Sequence, residues 1–270
     1  MKQQWTEELL GTKKPIIAMC HLNALPGDPH YNAEGGMKDV VAWARKDFLA
    51  LQNGGVDGVL FSNEFSAPYV TEVAPVTAAA MGRVIGELMS DIKIPFGVDV
   101  QIDPYRTLDL AVATGAIYVR EIFSGVYASD FGLWNLDTGK IVRHQHAVGA
   151  ADVKLLFNIV PEAAVYLQDR DIVQVTKSTV FNHRPDALLV SGLAPGVQTD
   201  AQIMKLVKDA ASDTPVFANT GLRVSNVEEQ LSIADGGIVG TTFKIDGKFE
   251  NHVDQSRVKE FMDKVKQFRK

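Results

Sequence analysis

PVFANTGLRVSNVEEQLSIADGGIVGTTFK, residues 215–244, is the stretch whose reading decides the fold. An apolar run at 216–219 breaks at Asn219-Thr220-Gly221, Asn226 opens an amphipathic segment carrying Val227, Leu231, Ile233 and Ala234, and a second apolar run covers 237–241. Strand, helix and strand in that order form a βαβ unit, whose two strands lie parallel in one sheet. Both runs are apolar throughout rather than alternating, which means burial on both faces, as in a parallel sheet covered by helices. Each turns polar and glycine-bearing at its carboxyl end: Asn219-Thr220-Gly221 on the first, Gly240-Thr241-Thr242 and then Lys244 on the second. Backbone N–H groups unscreened by a Cβ make this pair of turns a candidate anion cradle, and phosphate commonly sits after strands seven and eight of a (β/α)8 barrel. The same glycines also suit ordinary tight turns.

The alternation continues upstream. Strands are expected at 16–22, 58–64, 95–101, 117–122, 154–160 and 187–193, and helices at 5–10, 37–52, 77–90, 107–114, 171–182 and 200–211, with a last helix at 255–267. Counting the opening unit, eight strands and eight helices in 270 residues predict an α/β protein with one domain over 1–270, a single (β/α)8 TIM barrel rather than an open doubly wound sheet. No G-x-G-x-x-G follows the first strand, and the phosphate-loop, H-E-x-x-H and G-x-S-x-G motifs are absent, so no nucleotide cofactor is expected. Residues 123–149 are too many for an ordinary connection. Within them LWNLDTGKIVRH (133–144) reads as two short segments about Asp137-Thr138-Gly139, a β-hairpin inserted after strand four. It is expected over the barrel mouth, as a lid or as a contact between copies in a homo-oligomer.

With 46% hydrophobic and 22% charged residues, the chain is long enough to bury roughly three quarters of its unfolded surface. Its net charge of −6 comes from interspersed acids and bases, which argues against nucleic acid or an anionic membrane surface as partner. No window has the apolar length of a membrane span, and MKQQWTEELLGTKK at the start has no signal-peptide core, so a cytoplasmic location without membrane insertion is expected. The single cysteine, Cys20, excludes a disulfide framework and a cysteine-rich zinc site.

Side chains alternate along a strand, so counting by twos shows which polar groups share a face at each carboxyl end. The strands in turn offer His21 with Asn23, Ser62 with Glu64, Asp99 with Gln101, Arg120 or Glu121, Asn158, Ser191 or Gly192, Asn219 with Gly221, and Gly240 with Thr242 and Lys244. Charge beside a buried barrel is costly unless paired or used, so the ring as a whole marks a site. Glu64 and Asp99 are the leading general acid and base, with Glu121 and His21 as further catalytic candidates. A structural ion pair with Arg120 is the competing account of the two acids. Asn23, Arg120, Asn158, Ser191, Asn219 and Lys244 are substrate-binding candidates; Gly192, Gly221, Gly240 and Thr241 are candidates for phosphate. Convergence of Glu64, Asp99 and His21 would suit a divalent ion such as magnesium, manganese or zinc. His144 and His146 on the inserted segment either reach a ligand or stay solvated.

Five segments together, AMCHLNALPGDP (18–29), LQNGGVDGVLFSNEFSAPY (51–69), REIFSGVYASDFG (120–132), FNIVPEAAVYL (157–167) and NTGLRVSNVEEQLSIADG (219–236), resemble the BtpA family, on its SgcQ-like branch. The resemblance spans essentially the whole chain and implies a TIM barrel. Its matching positions include His21, Glu64, Arg120, Glu121, Asp130, Asn158, Asn219 and Gly221. The namesake branch implies a part in photosystem I biogenesis, whereas SgcQ-like members belong to bacterial gene sets with sugar phosphotransferase components and other carbohydrate enzymes. No settled reaction comes with the resemblance. The leading expectation is an enzyme that handles a small phosphorylated sugar or related metabolite by acid/base chemistry at the mouth, as isomerase or epimerase, lyase or glycosidic-bond hydrolase. A non-catalytic assembly factor for a membrane complex and a metal-dependent hydrolase are the alternatives.

Overall fold

A computed structural model of the chain describes residues 4–192 and 198–270. In chain order, α1 (Gln4–Leu10) leads into β1 (Ile16–His21), α2 (Gly36–Gly54), β2 (Gly58–Ser62), α3 (Pro75–Leu88), β3 (Phe96–Asp99), α4 (Pro104–Thr114) and β4 (Tyr118–Glu121). An inserted segment then supplies β5 (Gly125–Ser129), β6 (Gly132–Leu136) and α5 (Thr138–Ala147). The alternation resumes with β7 (Lys154–Val160), a short β8 (Ala164–Tyr166), α6 (Ile172–His183), β9 (Ala187–Val190), α7 (Ala201–Ala210), β10 (Val216–Ala218), α8 (Val227–Ile233), β11 (Gly236–Val239) and α9 (Gln255–Phe268). The expected sixth strand reached to Leu193, which lies outside the described residues; its paired part is β9. Among the described residues no helix is long and apolar enough to cross a membrane.

Eight strands close into a parallel barrel in the order β1-β2-β3-β4-β7-β9-β10-β11, with β11 paired back to β1. Inside it Ile17, Leu60, Leu156, Leu189 and Ile238 pack round two rings, Tyr118 and Phe217, all of them buried. Those rings need small neighbours. A Cβ on Gly97 would lie 2.2 Å from the Tyr118 ring, and one on Gly236 would lie 2.9 Å from Phe217. Tyr118 satisfies its buried hydroxyl by donating to the Val59 carbonyl at 2.7 Å. Trp5 of α1 stacks on Phe217 at 6.3 Å and covers the amino-terminal end of the barrel. The outward side chains, among them Ile16, Ala18, Val59, Phe61, Val98 and Val119, meet the helices in a second, larger apolar layer.

Aspartates start five of the helices. Asp103, Asp137, Asp171, Asp200 and Asp254 each accept a hydrogen bond from a backbone N–H in the first turn of α4, α5, α6, α7 and α9. This corrects the expected hairpin. Asp137-Thr138-Gly139 is no strand reversal but the start of α5, with Asp137 Oδ1 accepting from Lys140 N at 3.1 Å. An aspartate side chain serves a tight turn and a helix N-terminus equally, and tertiary burial of Ile141 and Gln145, four residues apart, selects the helix. The antiparallel pair lies earlier, β5 against β6, and β8 from the loop after β7 joins the other side of β5. Tyr127, Trp134 and Tyr166 are in register across these strands, with Tyr127 and Trp134 packed against Ile102 and Ile122 beside the carboxyl ends of the barrel strands.

The loop after β11 is tied to α2 by a buried ion pair. Lys244 Nζ lies 2.8 Å from Asp47 Oδ2, both side chains fully buried, while Asp47 Oδ1 takes Nδ1 of His252 at 2.7 Å and accepts from Val253 N at 3.0 Å. Removing one partner of such a pair strands the other charge. Lys244→Ala is therefore expected to lower the unfolding free energy by about 3 to 5 kcal/mol in urea denaturation, and a loss below about 1 kcal/mol would mean that His252 alone compensates Asp47.

Candidate active site

At the carboxyl ends of the strands the inward positions enclose a cavity of about 320 Å³. Strand parity continues the interior layer upward: His21 stands above Met19, Asp99 above Gly97, Arg120 above Tyr118, Asn158 above Leu156 and Asn219 above Phe217. Each of these five polar residues lines the cavity, together with Glu64, Gln101, Gly221, Gly240 and Thr241. The choice between Arg120 and Glu121 resolves toward Arg120 as the axial residue. Glu121 nevertheless turns its carboxyl to the same space, where it interacts with Asp99.

Arg120 is the cationic centre. Its Nε is 3.2 Å from Asp99 Oδ2 and its Nη2 is 3.9 Å from Glu64 Oε1. Glu64 also accepts from Gln101 Nε2 at 2.6 Å and from the Tyr69 hydroxyl at 3.1 Å. Burial pushes the Asp99 carboxyl up to about 7, with Arg120 opposing and Glu64 adding to the rise. Burial and then the charge of Asp99 hold Glu121 well above the carboxylate range. One proton shared between these two carboxyls is the state their contact favours. Glu162, just beyond β7, also rises to about 7 through burial, opposed by Arg120 and reinforced by Glu64. Burial works against the charge of Arg120, but Asp99 and Glu64 outweigh it and hold the guanidinium protonated. Burial, Lys244 and Arg120 keep His21 neutral. Its ring lies 3.1 Å from where a Cβ on Gly240 would be, so a side chain there would have to push the imidazole aside by a few tenths of an ångström.

The turns after β10 and β11 form the opposite wall. Gly221 has φ +69°, in the left-handed region that glycine enters freely. Thr242 Oγ1 donates to the Leu222 carbonyl at 2.6 Å and fastens one turn to the other. Asn158 and Asn219 are both held by Ser191, whose Oγ lies 3.2 Å from Asn158 Nδ2 and 2.8 Å from Asn219 Nδ2.

Four expected site residues lie elsewhere. Ser191 is buried, bonds both asparagine amides and does not line the cavity. Gly192 gives its N–H to Thr220 Oγ1 at 2.6 Å and does not line the cavity. Asn23 opens onto a neighbouring groove with His30, Trp43 and His252. Lys244 is the buried partner of Asp47, because the chain turns away after Thr241–Phe243 and carries it behind the barrel. His144 is held by Asp109 of α4 at 2.7 Å, outside the mouth, and His146 is exposed. As a metal-ligand set His21, Glu64 and Asp99 fail: among the described residues no three His, Cys, Asp or Glu side chains converge as an ion requires. Asp130 is exposed, and its N–H donates to the Ala163 carbonyl at 3.2 Å.

Sequence reasoning missed Glu162, Tyr69, Phe131, Trp134 and Phe249, all on the cavity wall. Glu162 carried a readable signal, an acid two residues past the apolar run of β7, the same mark that singled out Glu64. The aromatic residues carried none, because loops from distant parts of the chain bring them together.

A closed parallel barrel whose strand ends converge on one acid-rich cavity defines a TIM-barrel chain with an enzyme-like architecture. The chain belongs to the BtpA family, whose sequence profile matches residues 12–267. It is 61% identical over 266 residues to the sgc region protein SgcQ of Escherichia coli (strain K12), covering 98% of this chain and 99% of the relative. It is 28% identical over 255 residues, 93% of this chain and 88% of the relative, to the photosystem I biogenesis protein BtpA of Synechocystis. Among solved structures it is similar to the N-acetylmannosamine-6-phosphate 2-epimerase from Clostridium perfringens, with TM-score 0.55, 12% identity and 94% and 95% of the two chains covered. Dihydropteroate synthase from Xanthomonas albilineans superposes with TM-score 0.59, 13% identity and 95% and 92% coverage. At these identities the likeness is one of fold alone.

Acids held protonated by burial make stability fall as pH rises. Between about pH 4 and pH 7 the folded chain keeps protons that the unfolded chain has released, so it loses ground across that window. The melting temperature is expected to drop by at least ~3 °C from pH 5 to pH 8, and by less in Asp99→Asn, which has no charge to bury at that position. Equal drops in the two proteins would show that Asp99 is ionised throughout.

Proposed function

We propose that the chain is an enzyme acting on a small phosphorylated sugar or related metabolite by proton transfer at the barrel mouth. The observation that carries this reading is the buried Asp99 and Glu121 pair, one step from neutrality, facing glycine-bearing turns across one cavity. Catalytic pKa values near the working pH suit general acid/base chemistry, and burial next to a like charge is how a carboxyl reaches them. In this reading Asp99 takes a proton from the substrate, and Glu121 beside it favours the protonated form. Arg120 steadies the negative charge that results. Neutral His21 gives or accepts one hydrogen bond, and Asn158 and Asn219, both fixed by Ser191, orient hydroxyl groups.

The phosphate is assigned to the turns at Gly221 and at Gly240-Thr241. Among the described residues the N–H groups of Gly221 and Thr241 meet no acceptor, and unscreened amides at these two strand ends are the usual phosphate seat of the fold. Lys244 is withdrawn into its pair with Asp47, which supports proton transfer over imine chemistry at that residue. Isomerisation and lyase cleavage begin with such a transfer, whereas glycosidic hydrolysis needs a proton given to the leaving oxygen.

A second reading, assembly of a larger complex, is favoured by one feature. Leu133, Val165 and Leu167 stand exposed on the outward face of the β5, β6 and β8 sheet, and a relative is named for photosystem I biogenesis. Isothermal titration against a panel of sugar phosphates separates the two readings, and no heat with any member would overturn the enzymatic one. Asp99→Asn and Glu121→Gln are expected to cut turnover of a binding member by about 10²-fold or more with the melting transition retained. Gly221→Val is expected to weaken phosphorylated ligands by about tenfold and their dephosphorylated counterparts not at all.

A further inference from the structure

The cavity holds more hydrogen-bond acceptors than the protein answers. Asp99 is 1% exposed, Asn219 4% and Glu121 5%. Apart from the proton that Asp99 and Glu121 share, no donor among the described residues meets Asp99 Oδ1, Oε1 of Glu121 or Oδ1 of Asn219 in hydrogen-bond geometry, and Asp99 Oδ2 has only the ion-pair contact with Arg120 Nε at 3.2 Å. On the donor side the unanswered groups are Trp134 Nε1 and, in one tautomer, His21 Nδ1. Buried acceptors in this condition cost free energy in the free protein and are relieved by a ligand that brings donors.

Charge points the same way. Glu64, Asp99, Glu121 and Glu162 line the cavity, and among the described residues Arg120 is the one permanent cation beside them. Arg120 spans Asp99 and Glu64, leaving Glu121 with no cation at ion-pair distance among the described residues. The deep end of the mouth therefore lacks a positive partner on the Glu121 side.

Resting on the sugar-phosphate reading of this site, we propose that the substrate carries a primary amine at the end away from its phosphate, an amino sugar phosphate whose ammonium sits between Asp99 and Glu121. An ammonium brings three donors and a unit charge to this place, whereas a hydroxyl brings one donor and no charge. The phosphate at the glycine turns and the ammonium at the acids then fix the two ends of the molecule, which orients the carbon between them for proton transfer.

Binding of this kind is linked to protons. The groups facing the pair are His21 on β1, Glu64 beyond β2, Tyr69 in the following loop, Arg120 on β4 and Glu162 beyond β7. An ammonium favours the ionised carboxyls, so it draws off the proton that Asp99 and Glu121 share and releases it to solvent. Affinity for the amine rises with pH up to about 7, below the range in which the amine of an amino sugar gives up its own proton.

The test is isothermal titration of the full chain with the 6-phosphates of glucosamine, galactosamine and mannosamine, each beside its hydroxyl parent, and with the same sugars lacking phosphate. Runs in two buffers of different ionisation enthalpy count released protons. At least one amino sugar phosphate is expected to bind about tenfold or more tighter than its parent, with proton release and with a gap that widens from about pH 5 to about pH 7. In Asp99→Asn and in Glu121→Gln, each checked by its melting curve, the ratio of amine to parent affinity should fall toward one, and a ratio that stays about tenfold in both would overturn the inference. Sugar phosphates that bind without preference for the amine would overturn this inference and leave the sugar-phosphate reading standing. Free amino sugars that bind while phosphate adds nothing would remove the phosphate seat and keep the amine. Silence from every compound would remove both.

Discussion

The architecture depends on two rings in one place. Tyr118 and Phe217 fill the axis of the barrel, and the strands close round them because the facing positions, Gly97 and Gly236, have no Cβ to collide with the rings. Large beside small in the same layer is what interior packing at crystal-like density requires of a barrel this narrow. This layer is the floor of the site. Strand periodicity then places the next inward residue of the same two strands, Arg120 and Asn219, directly above the floor, so the chemistry of the mouth is in register with the packing of the core.

Above that floor the decisive term is desolvation. Asp99 and Glu121 lie where water is excluded by the floor and by the aromatic residues of the inserted sheet, and a single guanidinium must answer several acids. Ionising all of them would cost more than Arg120 repays, so protons stay on the cluster and the carboxyls titrate near neutrality or higher. The same burial makes these residues a liability for stability and an asset for proton transfer, a trade typical of functional sites. His21 follows the same logic with the opposite sign, since burial next to cations keeps it neutral.

The periphery contributes by enclosure and by anchoring. The sheet of β5, β6 and β8 draws on the loops after two neighbouring barrel strands and lends Trp134 to the cavity wall. On the other side, Asp47 gathers Lys244, His252 and the Val253 amide, which fixes the loop that carries Phe249 against His21 at 5.1 Å. A lysine adjacent to a glycine-rich strand end is thereby structural, although its position in the chain suggests a ligand contact.

The barrel was legible in the chain because each of its eight strands is a continuous apolar run ending in polar residues, and local periodicity reports burial on both faces. The same counting by twos placed His21, Asp99, Asn158 and Asn219 on one inner face and narrowed β4 to Arg120 or Glu121. It failed wherever direction is set by contacts between distant segments. Asp137-Thr138-Gly139 has the composition of a turn and of a helix start alike, and only the burial of Ile141 against the core decides between them. Lys244 lies one strand end from the cavity along the chain, but Asp47, almost two hundred residues away, determines where its charge goes. Alternation within a strand is a local property and so is written in the sequence; the partner of a charge and the shift of a buried carboxyl are sums over the whole fold, and only the tertiary structure supplies them.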